Sequence, residues 1–179
     1  SAASDVYKRQ EFLYNFWKDA TNPRGLWRRT TLDSYVTDDP EWDVLIDVDE
    51  LARAEDENWV WAGATVLRPD HERALISLSR GGADATVVRE FDLTTRSWVD
   101  GGFELPENKS SVGWIDRDSV YVGTDFGEQP DGRSALTDSG YPRIVKRWTR
   151  GTPLAQAETV FAGEVSDVSV RAVYDDTPG

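Results

Sequence analysis

Between Trp61 and Val99 the chain passes through four short apolar stretches, and every junction between them is a turn sequence. Trp61 opens an apolar strand that stops at Arg68-Pro69-Asp70. Ala74-Leu75-Ile76-Ser77-Leu78 comes next, then Gly81-Gly82-Ala83-Asp84, then Thr86-Val87-Val88-Arg89-Glu90-Phe91. Asp92-Leu93-Thr94-Thr95 leads to a last short strand at Ser97-Trp98-Val99. Strands rich in β-branched and aromatic residues, bounded by Gly, Pro and Asp, predict an antiparallel meander. Ala74 to Leu78 is nearly continuous apolar sequence, which suits a sheet covered on both faces; a one-sided surface sheet alternates more cleanly. A four-stranded meander of about 40–50 residues is the size of one β-propeller blade.

The same grammar recurs on both sides. Before the central unit come Phe12 to Trp17, a turn from Lys18 to Gly25, Leu26 to Thr31, a polar loop from Asp33 to Glu41, and Trp42 to Ile46. Val48 to Asn58, rich in Glu, Ala, Leu and Arg, reads as a short helix or turn between blades. After the central unit come Val112 to Ile115, Ser119 to Gly123, a Gly-, Asp- and Ser-rich excursion from Asp125 to Tyr141, Pro142 to Trp148, and Thr159 to Phe161. Third strands therefore start near Leu26, Thr86 and Arg143. Their spacing of roughly 60 residues slightly exceeds the longest common propeller repeats, and the excess falls in loops. The expected fold is all-β: a partial β-propeller of about three four-stranded antiparallel blades, at 11–58, 59–108 and 109–164. The first blade lacks its innermost strand, and a further blade starts at 165–179.

Both ends read as cut. Residues 1–10, Ser-Ala-Ala-Ser-Asp-Val-Tyr-Lys-Arg-Gln, match a translated sequencing adapter and are set aside from fold reasoning. The native part is then 11–179. At the other end, the alternating strand Val168 to Tyr174 runs into the turn sequence Asp175 to Gly179 with no returning strand. A partial propeller leaves a blade face and a strand edge unpaired, so self-association or poor solubility of the isolated chain is expected.

Charge narrows the function. Against 33 Asp and Glu stand 20 Lys and Arg, a net of −13. Such a surface repels phosphate backbones and anionic headgroups, which argues against nucleic-acid and membrane partners. No apolar run approaches the ~20 residues of a membrane span. The absence of Cys excludes disulfides and thiolate metal sites and agrees with a cytoplasmic location. Eight Trp, mostly within strand patterns, point to packing between blades rather than to a sugar-stacking platform.

The run Arg68-Pro69-Asp70, Ala74 to Asp84 and Arg89-Glu90-Phe91-Asp92-Leu93-Thr94-Thr95 resembles the blade pattern of the prolyl oligopeptidase family. The common form there is S-P-D-G, an apolar strand, G-x-D, a strand ending in Asp-Leu, and a T-G turn. Lys109 to Asp116 resembles the start of the following blade. His71-Glu72 stand where Gly is usual, and Arg96 replaces the common turn Gly. The resemblance implies a serine peptidase that cuts short peptides, typically after proline. In such enzymes an N-terminal propeller covers a C-terminal α/β-hydrolase domain and admits only small peptides. The chain would be part of that propeller, with short peptides and its own hydrolase domain as partners.

No catalytic, cofactor-binding or metal-ligating residue is assigned. The chain has no G-x-S-x-G nucleophile elbow. His71, the only His, sits between charged neighbours and reads as a solvated turn residue, with no Ser marked as a partner. Asp47-Val48-Asp49-Glu50 lacks the glycine bend of a calcium loop, and with Asp38-Asp39 reads as acidic surface. Asn108-Lys109-Ser110 matches a glycosylation sequon, which has meaning only in a secreted chain. Gly81-Gly82 fits a hairpin rather than a phosphate loop. Two other classes remain open: a non-catalytic propeller that binds protein partners, and a propeller glycosidase with paired carboxylates.

Overall fold

The structure is a computed structural model that describes residues 11–126, 135–136 and 142–162. The suspected adapter at 1–10, most of the excursion between Asp125 and Tyr141, and the further blade at 165–179 lie outside the described residues.

Three antiparallel sheets follow one another along the chain, which makes this a partial propeller. Blade 1 contains β1 (Phe12–Trp17), β2 (Leu26–Thr31) and β3 (Asp43–Asp47), in that spatial order. Phe12 pairs with Thr31 and Trp17 with Leu26; Trp27 then pairs with Ile46. Blade 2 contains β4 (Trp59–Val66), β5 (Arg73–Arg80) and β6 (Thr86–Asp92), with β7 (Ser97–Trp98) and β8 (Glu104–Asn108) both paired to β6. Blade 3 contains β9 (Ser111–Asp116), β10 (Ser119–Gly123), β11 (Ile144–Thr149) and β12 (Glu158–Ala162).

Local chemistry sets the connections. At the start of the stretch read above as a polar loop from Asp33 to Glu41, Leu32–Tyr35 form a short helix, α1, capped by Thr31, whose hydroxyl accepts from Ser34 N–H. The segment after β3, read above as a short helix or turn, is a helix, α2 (Val48–Glu55). Asp47 caps it by accepting from Glu50 N–H, and Asp56 ends it in the left-handed conformation at φ 51°. An Asp at the N-cap satisfies an otherwise orphaned N–H and complements the helix dipole.

The outer edge of blade 2 differs from expectation. The fourth strand, expected at Ser97 to Val99, is two residues long. Its role passes to β8, whose Leu105 pairs with Val88 and Asn108 with Thr86. Pro106 has no N–H to donate, so β8 can sit only at an edge, with β6 on its one paired side.

The core is layered between sheets. β5 supplies both layers by alternation: Ala74, Ile76 and Leu78 face blade 1 and join Trp27, Ile46, Val48, Trp59 and Phe91. Leu75 faces the other way and joins Val88, Phe103, Leu105, Val120, Val122 and Trp148. This two-sided burial explains why β5 is apolar at nearly every position. Each fully buried Leu or Ile contributes about 1.5–3 kcal/mol through burial.

Candidate functional site

Among the described residues, side-chain contacts between blades gather in the seams and in the inner strands beside them. At the first seam, one face of β1 and β2 presents Tyr14, Phe16 and Trp27. Tyr14 stacks on Trp27 at 5.4 Å between ring centroids, and Phe16 stacks on Trp61 of β4 at 5.0 Å. Phe16 also presses on Gly25, where an added Cβ would fall 2.3 Å from the ring.

His71 belongs to this array and is not a solvated turn residue. Its φ of 57° turns the ring toward blade 1, where it stacks on Tyr14 at 5.8 Å and meets the edge of Phe12 at 5.6 Å. Tyr14 Oη lies 2.9 Å from Nδ1, and Arg29 donates to the same Oη at 3.4 Å. Burial, then the nearby Arg68 and Arg29, hold the imidazole below its ordinary value, against weaker pulls from Asp70 and Glu11. Among the described residues the side-chain partner of His71 is Tyr14, and no Ser hydroxyl is hydrogen-bonded to the ring.

Arg96, the other residue standing at a usual glycine, also adopts a left-handed backbone, at φ 60°. Asp92 Oδ1 holds that turn by accepting from Thr94 and Thr95 N–H. Arg96 then reaches back to blade 1 and clasps both oxygens of Asp43. Hydrogen bonding to Arg96 holds the Asp43 carboxyl below the usual carboxylate range.

At the second seam the central residue is Glu90, whose side chain is wholly buried. It accepts from Arg73 at 2.8 Å, from Phe103 N–H at 2.9 Å, and twice from Arg150 of blade 3 at 2.8 and 2.9 Å. Burial alone would push the carboxyl up; Arg150, the Phe103 N–H and Arg73 outweigh it and hold the group below its ordinary value. Arg150 also lies 4.6 Å from the Phe103 ring centroid. The inner strands are joined directly, Trp114 Nε1 of β9 donating to Thr65 O of β4 at 2.9 Å.

Two of the acidic residues singled out in the sequence have structural duties. Asp47 caps α2, and Asp49 accepts from Arg24 N–H. Among the described residues no group of three or more His, Cys, Asp or Glu could hold a metal ion. Gly81 and Gly82 form the hairpin turn at φ 65° and 83°. Asn108 ends β8, and Ser110 Oγ lies 2.7 Å from Thr124 Oγ1. Tryptophans 27, 59, 61, 98, 114 and 148 pack within or between blades, as the sequence suggested. An open cleft of about 530 Å³ lies across blade 2, with Glu55, Trp59, Arg80, Arg89 and Leu105 among its walls. No helix among the described residues is long and apolar enough to cross a membrane.

Stacked antiparallel sheets sharing apolar seams define the class: these are successive blades of a β-propeller. The model of the prolyl oligopeptidase N-terminal β-propeller domain matches residues 1–177. The chain belongs to this family. It is 43% identical over 180 residues to an uncharacterized peptidase of Sinorhizobium fredii, covering 99% of this chain and 24% of the relative. A second uncharacterized peptidase, from Rickettsia prowazekii, is 35% identical over 93% of this chain and 23% of its own length. Among solved structures, a post-proline cleaving enzyme from Rickettsia typhi superposes with a TM-score of 0.74 at 34% identity, over 86% of this chain and 23% of that one. Oligopeptidase B from Leishmania major superposes with a TM-score of 0.60 at 14% identity, over 89% of this chain and 23% of that one, a likeness of fold alone. The chain thus spans about a quarter of the length of these relatives.

Proposed function

We propose that this chain is propeller from a serine-type oligopeptidase of the prolyl oligopeptidase kind, and that it gates the access of short peptides to a C-terminal α/β-hydrolase domain. The observation that carries the reading is the 43% identity to a peptidase over 99% of the chain. A post-proline cleaving enzyme superposes on the same stretch.

The division of labour follows from what the chain contains. Nucleophile, general base and oxyanion donors belong to the hydrolase portion. The propeller supplies a wall. Apolar seams, cross-blade arginine–carboxylate pairs and the Trp114–Thr65 link between inner strands make that wall stiff. A stiff wall excludes folded proteins on size and passes short, unfolded peptides. Closing a site in this way also keeps water from the reacting groups.

The test begins with the source locus. An in-frame G-x-S-x-G followed by Asp and then His downstream of this segment is the expected result. The full-length protein should then cleave a short proline-containing chromogenic peptide and spare a folded protein carrying the same sequence. A frame that closes after the propeller with no hydrolase elbow would replace this reading with a binding scaffold.

A further inference from the structure

Arg73, Arg80, Arg89, Arg96, Arg117 and Arg150 each pair with a carboxylate. Arg24 reaches blade 2 without one and makes short bonds to Asn58 Oδ1 and Trp59 O, at 2.9 and 2.7 Å. Arg29 does neither. Its Nη1 reaches the neutral Tyr14 Oη and His71 O at 3.4 and 3.5 Å, and its buried Nε has no hydrogen-bond partner among the described residues. Asp43, opposite Arg29 in the β2–β3 register, is taken by Arg96. A half-buried guanidinium short of acceptors costs free energy that a further acceptor restores.

A second cation stands beside it. Arg68 opens the β4–β5 turn, is exposed, and makes no hydrogen bond or ion pair among the described residues. His71 N–H bonds back to Leu67 O at 3.0 Å, so this turn carries Arg68 and His71 together at the end of the inner strand β4. Both arginines act on the same two rings. Burial first, then Arg68 and Arg29, hold His71 below its ordinary value, and each arginine outweighs Asp70 and Glu11. Burial raises the Tyr14 hydroxyl, and Arg29 and Arg68 pull it down. The balance of these side-chain charges at His71 is therefore positive, in a chain whose net charge is −13. Like charges held together around half-buried rings are unfavourable until an anion joins them.

We infer that Arg29, Arg68 and the Tyr14 hydroxyl form a receptor for one carboxylate, the C-terminal carboxylate of a short peptide. Guanidinium forks match carboxylate geometry. The Phe12 ring, 3.9 Å from the Arg29 guanidinium, steadies one of the two forks. Charge selects the ligand: a phosphate dianion brings two charges into a strongly acidic molecule, and a peptide terminus brings one. His71 couples the site to protons. When Nδ1 carries a proton it donates to Tyr14 Oη, 2.9 Å away, and the hydroxyl proton is free for the carboxylate. Binding and protonation of the ring then reinforce each other. The choice of a peptide rests on the proposed oligopeptidase function; the anion site itself does not.

His71 is the only His of the chain, so its ring resonance is a single probe of the site. Its NMR titration is followed in the 179-residue chain, and in the full-length parent with the resonance identified by its loss in His71→Asn. The ligand is an N-acetylated tripeptide without acidic side chains, as the free acid and as the C-terminal amide, against sodium chloride of equal ionic strength. The free acid should raise the His71 midpoint saturably by several tenths of a pH unit, and should bind a few-fold more tightly at pH ~6 than at pH ~8. The amide should do neither. Arg29→Gln should abolish the shift. Arg68→Gln, an exposed change that spares the fold, should weaken binding several-fold at an unchanged melting temperature. Equal shifts with acid and amide, or an acid no better than chloride, would overturn the inference. Saturation by inorganic phosphate at lower concentration than by the acid would give the site to phosphate and overturn the carboxylate. The readout does not depend on catalysis. A parent that cleaves no peptide would remove the proposed function and leave the site, whereas an active parent blind to the terminal carboxylate would do the reverse.

Discussion

Arg150 and Glu90 meet across the second seam as a bidentate pair, at 2.8 and 2.9 Å, with the carboxylate fully buried. Arg73 and the Phe103 N–H use the remaining acceptor capacity of Glu90, so one side chain fixes two strands of blade 2 and the third-strand turn of blade 3. Removing the Glu90 charge takes the buried counter-charge from Arg73 and Arg150, which keep only the more exposed Asp92 and Asp118. Glu90→Gln is expected to cost about 3–5 kcal/mol in urea unfolding. Arg150→Met should cost less, because Arg73 still neutralises the carboxylate. The pH dependence has a definite sign. The folded group sits below its ordinary 4.5, so its contribution is complete above that value and is lost as pH falls through the folded value. Wild-type stability should fall in that acid range, and Glu90→Gln should flatten the fall. Equal slopes for the two proteins would show that Glu90 is not the group responsible.

Two glycines with opposite surroundings separate backbone strain from steric exclusion. Gly25 has φ 102°, and an added Cβ would lie 2.3 Å from the Phe16 ring; Gly82 has φ 83° and nothing within 4 Å. Gly82→Ala should therefore cost about 1–2 kcal/mol, the left-handed backbone term alone. Gly25→Ala adds displacement of a ring stacked on Trp61, for roughly 1–3 kcal/mol more. Urea midpoints of the two variants measured side by side test the difference, and equal losses would mean that the Phe16 ring gives way freely.

The sequence made some of this fold legible and hid the rest for physical reasons. The third strands of all three blades were readable because β-branched and aromatic residues lie there between strong turn signals, as at Thr86 to Phe91. The composition of Val48 to Asn58 narrowed that segment to a helix or a turn, and it is the helix α2. Strand β8 was not, because Glu104, Pro106 and Glu107 lower strand propensity and only an edge position tolerates the proline. The seam contacts were hidden because they are non-local: Tyr14 and His71 are 57 positions apart, Asp43 and Arg96 53, Glu90 and Arg150 60. Two signals were nevertheless available. By alternation Glu90 shares a face of β6 with Val88, and a charge on a buried face needs a buried partner. His71 and Arg96 stand where Gly is usual, and both use the left-handed turn to reach blade 1.

Arg96 offers a case in which glycine should be better than alanine. Its left-handed backbone costs about 1–2 kcal/mol for any side chain with a Cβ. Its pair with Asp43 is solvent-exposed on both sides, 36% and 52%, and is worth about 0–1 kcal/mol after screening. Arg96→Gly removes both the strain and the pair and should be neutral within about 0.5 kcal/mol or mildly stabilising. Arg96→Ala keeps the strain, loses the pair and should be the least stable of the three. Chemical denaturation in low and in high salt checks the ordering; high salt should bring wild type closer to Arg96→Ala, because it screens the pair. An alanine variant as stable as the glycine one would mean that the turn holds no strain.

His71 gives the first seam a pH dependence distinct from that of Glu90. Burial and the flanking Arg68 and Arg29 place its folded value below 6.5. Above 6.5 the ring is neutral in both the folded and the unfolded chain and adds no slope. Below 6.5 the unfolded chain takes up a proton that the folded chain resists, so stability falls with pH until the folded value is passed, and then levels off. Protonation puts an N–H on both ring nitrogens, so Nδ1 would have to donate to Tyr14 Oη, beside a guanidinium that already donates to that oxygen. Carboxylates such as Glu90 titrate at lower pH, so the two windows separate. His71→Asn is the informative variant, because Asn tolerates the left-handed backbone and does not titrate. Urea midpoints taken in steps from pH ~8 to ~5 should slope downward below 6.5 for wild type and stay level for His71→Asn. Parallel curves would show that the seam opens no more readily when His71 is charged.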